Sequence, residues 1–301
     1  TFGSLNSISR FDQESLKEGP QYVNPSIFPS TVGNSPASRL NIKFNIKGFS
    51  STISTGMCAS LDALDYARDF LMLDKAETIL AGSVEDLSIQ TFLGLYKLNY
   101  LAGLKGEVVS CPFDKRRNGV IFSEGASLMV MQKAETALKN KSHIYGEILG
   151  IGSCFDPAKF YKYNPKGTGM VQAMKLALED AQLKPEDIDC IFANANSTKD
   201  ADAIETHAIK AVFRTKVPVT AVKSMLGESL SVAGGFACIA GLGALNRGII
   251  PSTVNLQKKD ADLQERSRNL VRTQKAMLHI MDDLQDALHA KAQFISMVSH
   301  F

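Results

Sequence analysis

STISTGMCASLDALDYA, residues 51–67, joins a short β-branched run to a helical pattern through one glycine, and it decides how the surrounding chain is interpreted. The run before Gly56 is typical of a strand, and the apolar residues after it, such as Leu61 and Leu64, recur at helical spacing. A strand, a tight glycine turn and a helix place the turn residue at the mouth of an α/β sheet, against the positive end of the helix dipole. Cys58 lies on this turn and is therefore a candidate nucleophile, because a helix N-terminus lowers the pKa of a thiol.

The composition excludes several classes of protein. The chain has 301 residues, of which 45% are hydrophobic and 21% charged, as in a soluble globular protein. A net charge of +2 is too small to predict binding to nucleic acid or to a membrane surface. No apolar run is long enough to span a bilayer, and the N-terminal TFGSLNSISRFDQ lacks the charged and apolar segments of a signal peptide. We therefore expect a cytoplasmic protein with no nucleic-acid partner and no membrane span.

The cysteine spacing argues against a disulfide framework and against a metal site. The five cysteines are at positions 58, 111, 154, 190 and 238. Their number is odd, and no two lie at the two-residue spacing of a zinc site. We expect reduced thiols, most of them with a structural role, and no bound metal.

Strands alternate with helices along the first 254 residues. Strands are predicted at 50–55, 76–81, 126–131, 144–152, 188–193, 217–222 and 248–254. Helices are predicted at 11–18, 57–67, 84–98, 133–139, 170–181, 201–213 and 229–245. This order favours βαβ units, and hence an α/β fold with a mostly parallel sheet.

The composition changes at about Gln257, after which neither glycine nor proline occurs. Apolar residues then repeat every seven positions, at Leu263, Leu270, Met277 and Leu284. This repeat predicts a long helix over 258–301 that packs on a partner helix. An amphipathic helix docked on the preceding domain is the alternative.

Five stretches carry a family resemblance. They are STISTGMCAS at 51–60, PFDKRRNGVIFSEGASLMVM at 112–131, NANSTKDADAIETHAIKAVF at 194–213, VTAVKSMLGESLSVAGG at 219–235 and GIIPSTVNL at 248–256. In this order they resemble the β-ketoacyl-ACP synthases (ketosynthases) of fatty-acid and polyketide assembly, over about residues 1–257.

The resemblance implies a thiolase-like αβαβα sandwich of two similar halves, truncated at both ends relative to the family. It also implies a homo- or heterodimer with a ketosynthase partner. The substrates would be acyl and malonyl thioesters on the phosphopantetheine of acyl carrier protein, with no further cofactor.

Both histidines of the family's Cys/His/His site are replaced. In the first frame Asn196 follows Asn194-Ala195, where the family has histidine. In the second, Glu228 follows the Lys223-Ser-Met-Leu-Gly run, again in place of histidine. Asn196 can donate a hydrogen bond but cannot carry a proton, and an ionised Glu228 would repel an enolate. The remaining His143 and His207 are interpreted as structural or surface residues.

The family's nucleophile position falls on Met57 when no gap is allowed, and on Cys58 when one residue is inserted. One step at the start of a helix rotates a side chain by about 100°, so the two alternatives are not equivalent. Alignment of the following helix favours Met57, a residue that is apolar and adaptable enough to fill a tunnel mouth.

The resemblance therefore points to a chain-length-factor-like subunit, which keeps the ketosynthase fold and shapes the tunnel of an active partner. In that case Lys223, Asp114 and Glu124 are scaffold residues whose charges pair within the fold. The alternative is an active acyltransferase that performs decarboxylative condensation through Cys58.

The tail has a resemblance of its own. Residues 268–300, RNLVRTQKAMLHIMDDLQDALHAKAQFISMVSH, look like the signalling helix of sensor histidine kinases leading into their dimerisation helix. The match implies His300 as a phosphoacceptor, although Phe301 stands where the kinase motif continues with an acidic residue. A signalling fusion is thus a third functional alternative, with 1–257 as the ketosynthase-like domain and 258–301 as the long helix.

Overall fold

The computed structural model describes residues 4–158, 163–213 and 217–258, and the backbone of 293–297. Its helices are α1 Leu5–Glu18, α2 Ser35–Phe44, α3 Ala59–Met72, α4 Ile89–Lys97, α5 Ala134–Lys139, α6 Thr168–Asp180, α7 Lys199–Val212, α8 Lys223–Leu226 and α9 Ala233–Arg247. Its strands are β1 Thr78–Glu85, β2 Gly125–Gln132, β3 Glu147–Gly152, β4 Ile191–Phe192, β5 Val219–Thr220 and β6 Gln293–Met297. Short 3-10 turns lie at Pro20–Tyr22, Pro25–Ser30, Gly56–Cys58, Pro185–Asp187 and Leu230–Val232.

The described strands form three pairs. β1 pairs antiparallel with β2, whereas β3 pairs parallel with β6 and β4 pairs parallel with β5. The chain divides into two units: unit 1 contains 4–99, 122–133 and 229–235, and unit 2 contains 100–121, 134–228 and the described residues from 236 onward.

In unit 1, α3 packs its apolar face on β1, because its buried residues recur at helical spacing. These residues are Leu61, Leu64, Ala67 and Leu71. The backbone N–H of Gly235 donates to the buried Ser60 hydroxyl at 3.1 Å. The start of α9 is thereby fastened to the start of α3.

In unit 2, one hydrophobic core joins α6, α7 and the β4–β5 pair. Its members include Met170, Met174, Ile191, Ile209 and Phe213. The loops that follow β4 and β5 carry the polar residues singled out from the sequence, so this core fixes both motif frames.

Three predicted elements are wrong. Residues 50–55 form no strand, because this small, hydroxyl-rich run is mostly exposed and has no buried face to hold a sheet partner. Residues 248–254 also form no strand: Pro251 has no N–H to donate to a ladder. Residues 293–297, placed in the long helix, instead extend the edge of β3 as β6. The rest of that predicted helix lies outside the described residues.

One described stretch, 230–247, is apolar and long enough to cross a membrane by length and composition alone. Thirty-nine per cent of it is buried within the protein, and core helices of soluble domains meet the same criterion. The expectation of no membrane span stays a prediction.

Two glycines are expected to respond in opposite ways to alanine. A Cβ at Gly152 on β3 would meet the backbone of α6, with Ala177 N at 2.5 Å, so Gly152→Ala should lower the free energy of unfolding by about 1–3 kcal/mol. A Cβ at Gly94 on α4 meets nothing within 4 Å, so Gly94→Ala should raise it by about 0.5–1 kcal/mol. Thermal unfolding checks both, and a neutral Gly152→Ala would contradict the close seating of β3 on α6.

Candidate functional site

Met57 and Cys58 lie in unit 1, on the 3-10 turn Gly56–Cys58 that leads into α3. Gly56 has φ +82°, a left-handed conformation that favours glycine at this turn. Met57 is 40% exposed, whereas Cys58 is 7% exposed and is the N-cap residue of α3. The two candidates for the nucleophile position therefore differ: the methionine side chain reaches solvent and the thiol is in the interior.

The second motif frame forms a buried ion pair in unit 2. Lys223 Nζ donates to Glu228 Oε2 at 2.8 Å, and the two side chains are 7% and 3% exposed. The same ammonium donates to Asn194 Oδ1 at 2.6 Å. The charge of Glu228, the residue predicted to replace the family's second histidine, is therefore balanced by Lys223.

The first motif frame places Asn196 among neutral groups. Its Oδ1 accepts from the Thr198 hydroxyl at 2.8 Å and from the Thr198 N–H at 3.2 Å. Its side chain also hydrogen-bonds the Tyr163 hydroxyl. Since Oδ1 is used by Thr198, the amide nitrogen is the group that faces Tyr163.

Asp202 on α7 holds the loop that carries Asn196. Its carboxylate accepts the backbone N–H groups of Asn196 at 2.9 Å, Ser197 at 3.2 Å and Phe113 at 2.9 Å. Arg117 Nε lies 3.8 Å from the same carboxylate. Burial raises the pKa of Asp202 to about 6, against the opposing effect of these partners.

Glu205, one turn further along α7, holds the loop at Asn194. Its Oε1 accepts the Asn194 N–H at 2.7 Å. Burial raises the pKa of this carboxyl to about 7, and the charge of Asp202 raises it further, while hydrogen bonds and Lys223 act against the rise. Glu205 therefore changes its protonation near neutral pH.

The raised pKa of Glu205 predicts a protein that is less stable at pH 8 than at pH 5. Between pH 4.5 and about 7 the folded protein holds a proton that the unfolded chain has lost, so the free energy of unfolding falls as the pH rises. We expect a loss of about 1–3 kcal/mol in urea unfolding between the two pH values. Asp202, whose pKa is raised to about 6, contributes to the same fall, so Glu205→Gln should reduce this dependence without abolishing it, whereas Glu179→Gln, at an exposed position on α6, should leave it intact. An unchanged slope in Glu205→Gln would contradict the prediction.

The predicted scaffold residues pair within the fold. Asp114 binds the Arg116 side chain and the N–H groups of Gln257 and Lys258; burial alone would raise its pKa, but these hydrogen bonds lower it to about 2. Glu124 Oε2 accepts the Leu87 N–H at 2.8 Å within unit 1.

The histidines and cysteines lie as follows. His143 and His207 are both exposed, as expected for surface residues. The five cysteines are reduced thiols, and burial raises the pKa of Cys111 and Cys190, that of Cys190 to about 12. Among residues 4–158, 163–213 and 217–258, no group of three or more His, Cys, Asp or Glu side chains is placed to hold a metal ion. His300 lies outside the described residues.

Sequence reasoning missed four residues of this site: Tyr100, Tyr163, Asp202 and Glu205. The two carboxylates left a usable signal, because Asp202 and Glu205 occupy the apolar face of a predicted amphipathic helix, where an acid needs a partner. The tyrosines left none, since 63 residues separate them in sequence.

The arrangement in unit 2 can donate hydrogen bonds but is poorly suited to stabilising an enolate. Asn196 offers one neutral amide donor. The ammonium of Lys223 donates hydrogen bonds to both Glu228 and Asn194, so its positive charge is neutralised by partners within the protein. The carboxylate of Glu228, already bound to Lys223, accepts hydrogen bonds and donates none to an enolate oxygen.

Comparisons with known proteins point to one family. Residues 2–137 match the family model described as "Beta-ketoacyl synthase, N-terminal domain", and residues 145–257 match "Beta-ketoacyl synthase, C-terminal domain". The 3-oxoacyl-[acyl-carrier-protein] synthase 2 of Coxiella burnetii is 31% identical over 264 residues, which are 86% of this chain and 64% of the relative. The chain thus spans less than two thirds of this relative's length.

Two solved structures are similar throughout the matched region. A type II PKS acyl-carrier protein in complex with its ketosynthase bound to the hexaketide matches with a TM-score of 0.80 and 27% identity, over 85% of this chain and 66% of that one. The ishigamide ketosynthase/chain length factor matches with a TM-score of 0.79 and 28% identity, over 87% of this chain and 64% of that one.

Proposed function

Because the chain belongs to the β-ketoacyl synthase family, we propose that it acts as a chain-length-factor-like subunit, which pairs with a catalytic ketosynthase instead of performing condensation itself. The predicted thiolase-like ketosynthase fold is confirmed by the similar solved structures. The activity, substrates and partners that follow are proposals.

The observation that carries the proposal is the buried pair of Lys223 and Glu228. In an enzyme that stabilises an enolate, the group at position 228 donates a proton or a hydrogen bond to the developing anion. Here that position holds a carboxylate, at 2.8 Å from the ammonium of Lys223. The ammonium of Lys223 is neutralised within the pair, so it offers no unpaired positive charge to a reacting oxygen.

Asn196 and Met57 support the same conclusion. The side-chain amide of Asn196 neither releases nor takes up a proton at physiological pH, so it cannot act as a general acid or base. Met57, exposed on the 3-10 turn before α3, offers an adaptable apolar side chain at the position where the ungapped alignment places the family's nucleophile.

The proposed partners are a catalytic ketosynthase and an acyl carrier protein that brings acyl groups on its phosphopantetheine. Support comes from the similar structures, one a ketosynthase with its acyl-carrier protein and one a ketosynthase/chain length factor. A cytoplasmic location belongs to this proposal.

Co-expression with a catalytic ketosynthase tests the subunit role. We expect the tagged chain to co-purify with a catalytic type II ketosynthase, and the complex to condense malonyl groups with only the partner's cysteine intact. Failure of the two chains to co-purify would count against the proposal. Equal product lengths with and without this chain would do so too.

Condensation through Cys58 is the second candidate, favoured by the place of this thiol as N-cap residue of the 14-residue helix α3. Cerulenin, which alkylates ketosynthase cysteines, distinguishes the two. If it modifies Cys58 selectively and Cys58→Ala abolishes condensation by the chain alone, the non-catalytic proposal is wrong. The matched control is Cys154→Ala, a partly buried cysteine in unit 2.

A signalling role through His300 is a third prediction. Phosphate transfer from a donor kinase tests it, and absence of label on His300 would exclude it.

A further inference from the structure

The neutral groups around Asn196 form a cluster of their own within unit 2, here called the tyrosine–amide cluster: Tyr100, Tyr163 and Asn196. The Tyr100 hydroxyl donates to the Tyr163 hydroxyl at 2.8 Å, and the Asn196 side chain hydrogen-bonds that same hydroxyl. Asn196 is 4% exposed, while both tyrosines are partly buried. The cluster therefore begins in the interior at the motif residue and reaches toward the surface through two phenols.

The hydroxyls of this cluster stay protonated at any physiological pH. Burial raises the pKa of Tyr163 and of Tyr100 above the ordinary value of 10.0, and the negative charge of Glu228 raises both further. Each phenol thus remains a neutral hydrogen-bond donor. An arrangement of neutral donors suits a neutral oxygen acceptor.

The geometry of Tyr163 directs its proton. A phenol has one donor and two acceptor positions, and Tyr163 accepts from both Tyr100 and Asn196. Its own proton therefore points away from these two groups. A hydroxyl can exchange its present acceptor for a ligand's carbonyl oxygen at little cost, because one hydrogen bond replaces another.

The charges nearby restrict what the ligand can be. Glu228 acts electrostatically on both tyrosines, and the ammonium of Lys223 is already bound to Glu228 and Asn194. An anionic ligand such as a malonyl carboxylate would gain nothing from Lys223, whose ammonium is already bound to Glu228 and Asn194. A neutral carbonyl needs no such counter-charge.

We infer that the tyrosine–amide cluster binds the β-keto oxygen of a neutral acyl thioester and selects oxygenated acyl chains over saturated ones. The inference rests on the proposed function, because it takes an acyl thioester as the ligand. Discrimination follows from desolvation: a saturated chain seated beside the phenols would shield them from solvent without offering an acceptor. The carboxylate of a malonyl group is not expected to bind these neutral donors more tightly than a saturated chain does.

Binding of small thioesters to the full chain tests the inference. Acetoacetyl-, butyryl- and malonyl-pantetheine are compared by isothermal titration calorimetry at pH 7.5. We expect acetoacetyl-pantetheine to bind about tenfold more tightly than butyryl-pantetheine, as one buried hydrogen bond to a carbonyl provides. Malonyl-pantetheine should bind no more tightly than the butyryl compound.

Three variants locate the effect. Tyr163→Phe and Tyr100→Phe should each reduce the preference for the acetoacetyl compound to about twofold or less. Tyr145→Phe, a change to a 60% exposed tyrosine of unit 2 outside the cluster, should keep it. Melting curves show whether each cluster variant is folded. If one variant is misfolded, the binding preference of the other still tests the inference.

Equal affinity for the acetoacetyl and butyryl compounds would overturn the inference, as would a preference that survives both Phe variants, tighter binding of the malonyl compound, or no binding of any thioester. These affinity measurements use the chain alone. They are therefore separate from the co-purification that decides the proposed subunit role.

Discussion

Replacing Lys223 by methionine is expected to lower the free energy of unfolding by about 3–5 kcal/mol, the usual cost of removing one partner from a buried ion pair. The variant leaves the carboxylate of Glu228, 3% exposed, in the interior without its ammonium partner at 2.8 Å. It also removes the donor to Asn194 Oδ1. The chain contains no tryptophan, so urea unfolding at pH 7.5 is best followed by far-ultraviolet circular dichroism.

A double variant and a surface variant separate charge from packing. Lys223→Met combined with Glu228→Leu removes both charges and should recover most of the loss, because apolar residues often replace a buried pair without cost. Lys175→Met, at an exposed position on α6, should change stability by less than about 0.5 kcal/mol. If Lys223→Met costs less than about 1 kcal/mol, the pair is not a buried charge pair. That result would also contradict the proposed function, which rests on Lys223 and Glu228 being a buried charge pair.

The sequence identified the members of this pair but not their contact. The frame around Lys223 and Glu228 is visible as a motif, and both positions are read without the structure. Their contact depends on the turn between them: α8 is only four residues long and is followed by Gly227, which has a positive φ of +75°. A separation of five residues matches neither a helical nor a strand repeat. Periodicity therefore could not reveal the contact.

Helices were predicted more closely than strands, for a physical reason. The pattern at 170–181 predicts α6, which the structure has at Thr168–Asp180, because an amphipathic repeat reports burial and a helix supplies its own hydrogen bonds. The run 188–193 is predicted as a strand, yet β4 covers only Ile191–Phe192. A strand exists only where a neighbour pairs with it, and pairing is not encoded in the run itself.

The nucleophile turn shows the same limit at one residue. Sequence comparison left Met57 and Cys58 as alternatives, since one inserted residue decides between them. The 3-10 turn at Gly56–Cys58 separates their side chains by exposure, 40% against 7%. A tight turn before a helix has a different rotation per residue from the helix that follows, and residue pattern alone does not determine where one passes into the other.

Replacing Asp202 by alanine is the second large effect, with an expected loss of about 3–5 kcal/mol at pH 8. Above its pKa of about 6 the carboxylate is ionised, and it accepts three backbone N–H groups while lying 3.8 Å from Arg117 Nε. Alanine would leave these N–H groups buried without their acceptor. Each such loss costs about 1–3 kcal/mol, partly offset because the buried charge is also removed.

The loop that Asp202 holds cannot relax without cost. Ser197 has φ +71°, a left-handed conformation that is unfavourable for a residue with a Cβ. It is kept there by Asp202, by the Cys111 N–H donating to its hydroxyl at 3.1 Å and by the Gly119 N–H donating to its carbonyl at 3.0 Å. Without Asp202 the adjacent Asn196 loses the support that aims its amide at Tyr163. Asp202→Ala should therefore weaken acetoacetyl-pantetheine binding as well as stability.

Asp200 provides the matched control. It is exposed and lies in the same first turn of α7, so Asp200→Ala removes a carboxylate from the same helix end without touching the loop. We expect a loss of less than about 1 kcal/mol, the size of a favourable interaction with the helix dipole. Equal losses for Asp200→Ala and Asp202→Ala in urea unfolding would show that the helix end, and not the hold on Ser197 and Asn196, is what the carboxylate stabilises. A loss confined to Asp202→Ala makes this one buried acid the support on which the geometry of the first motif frame depends.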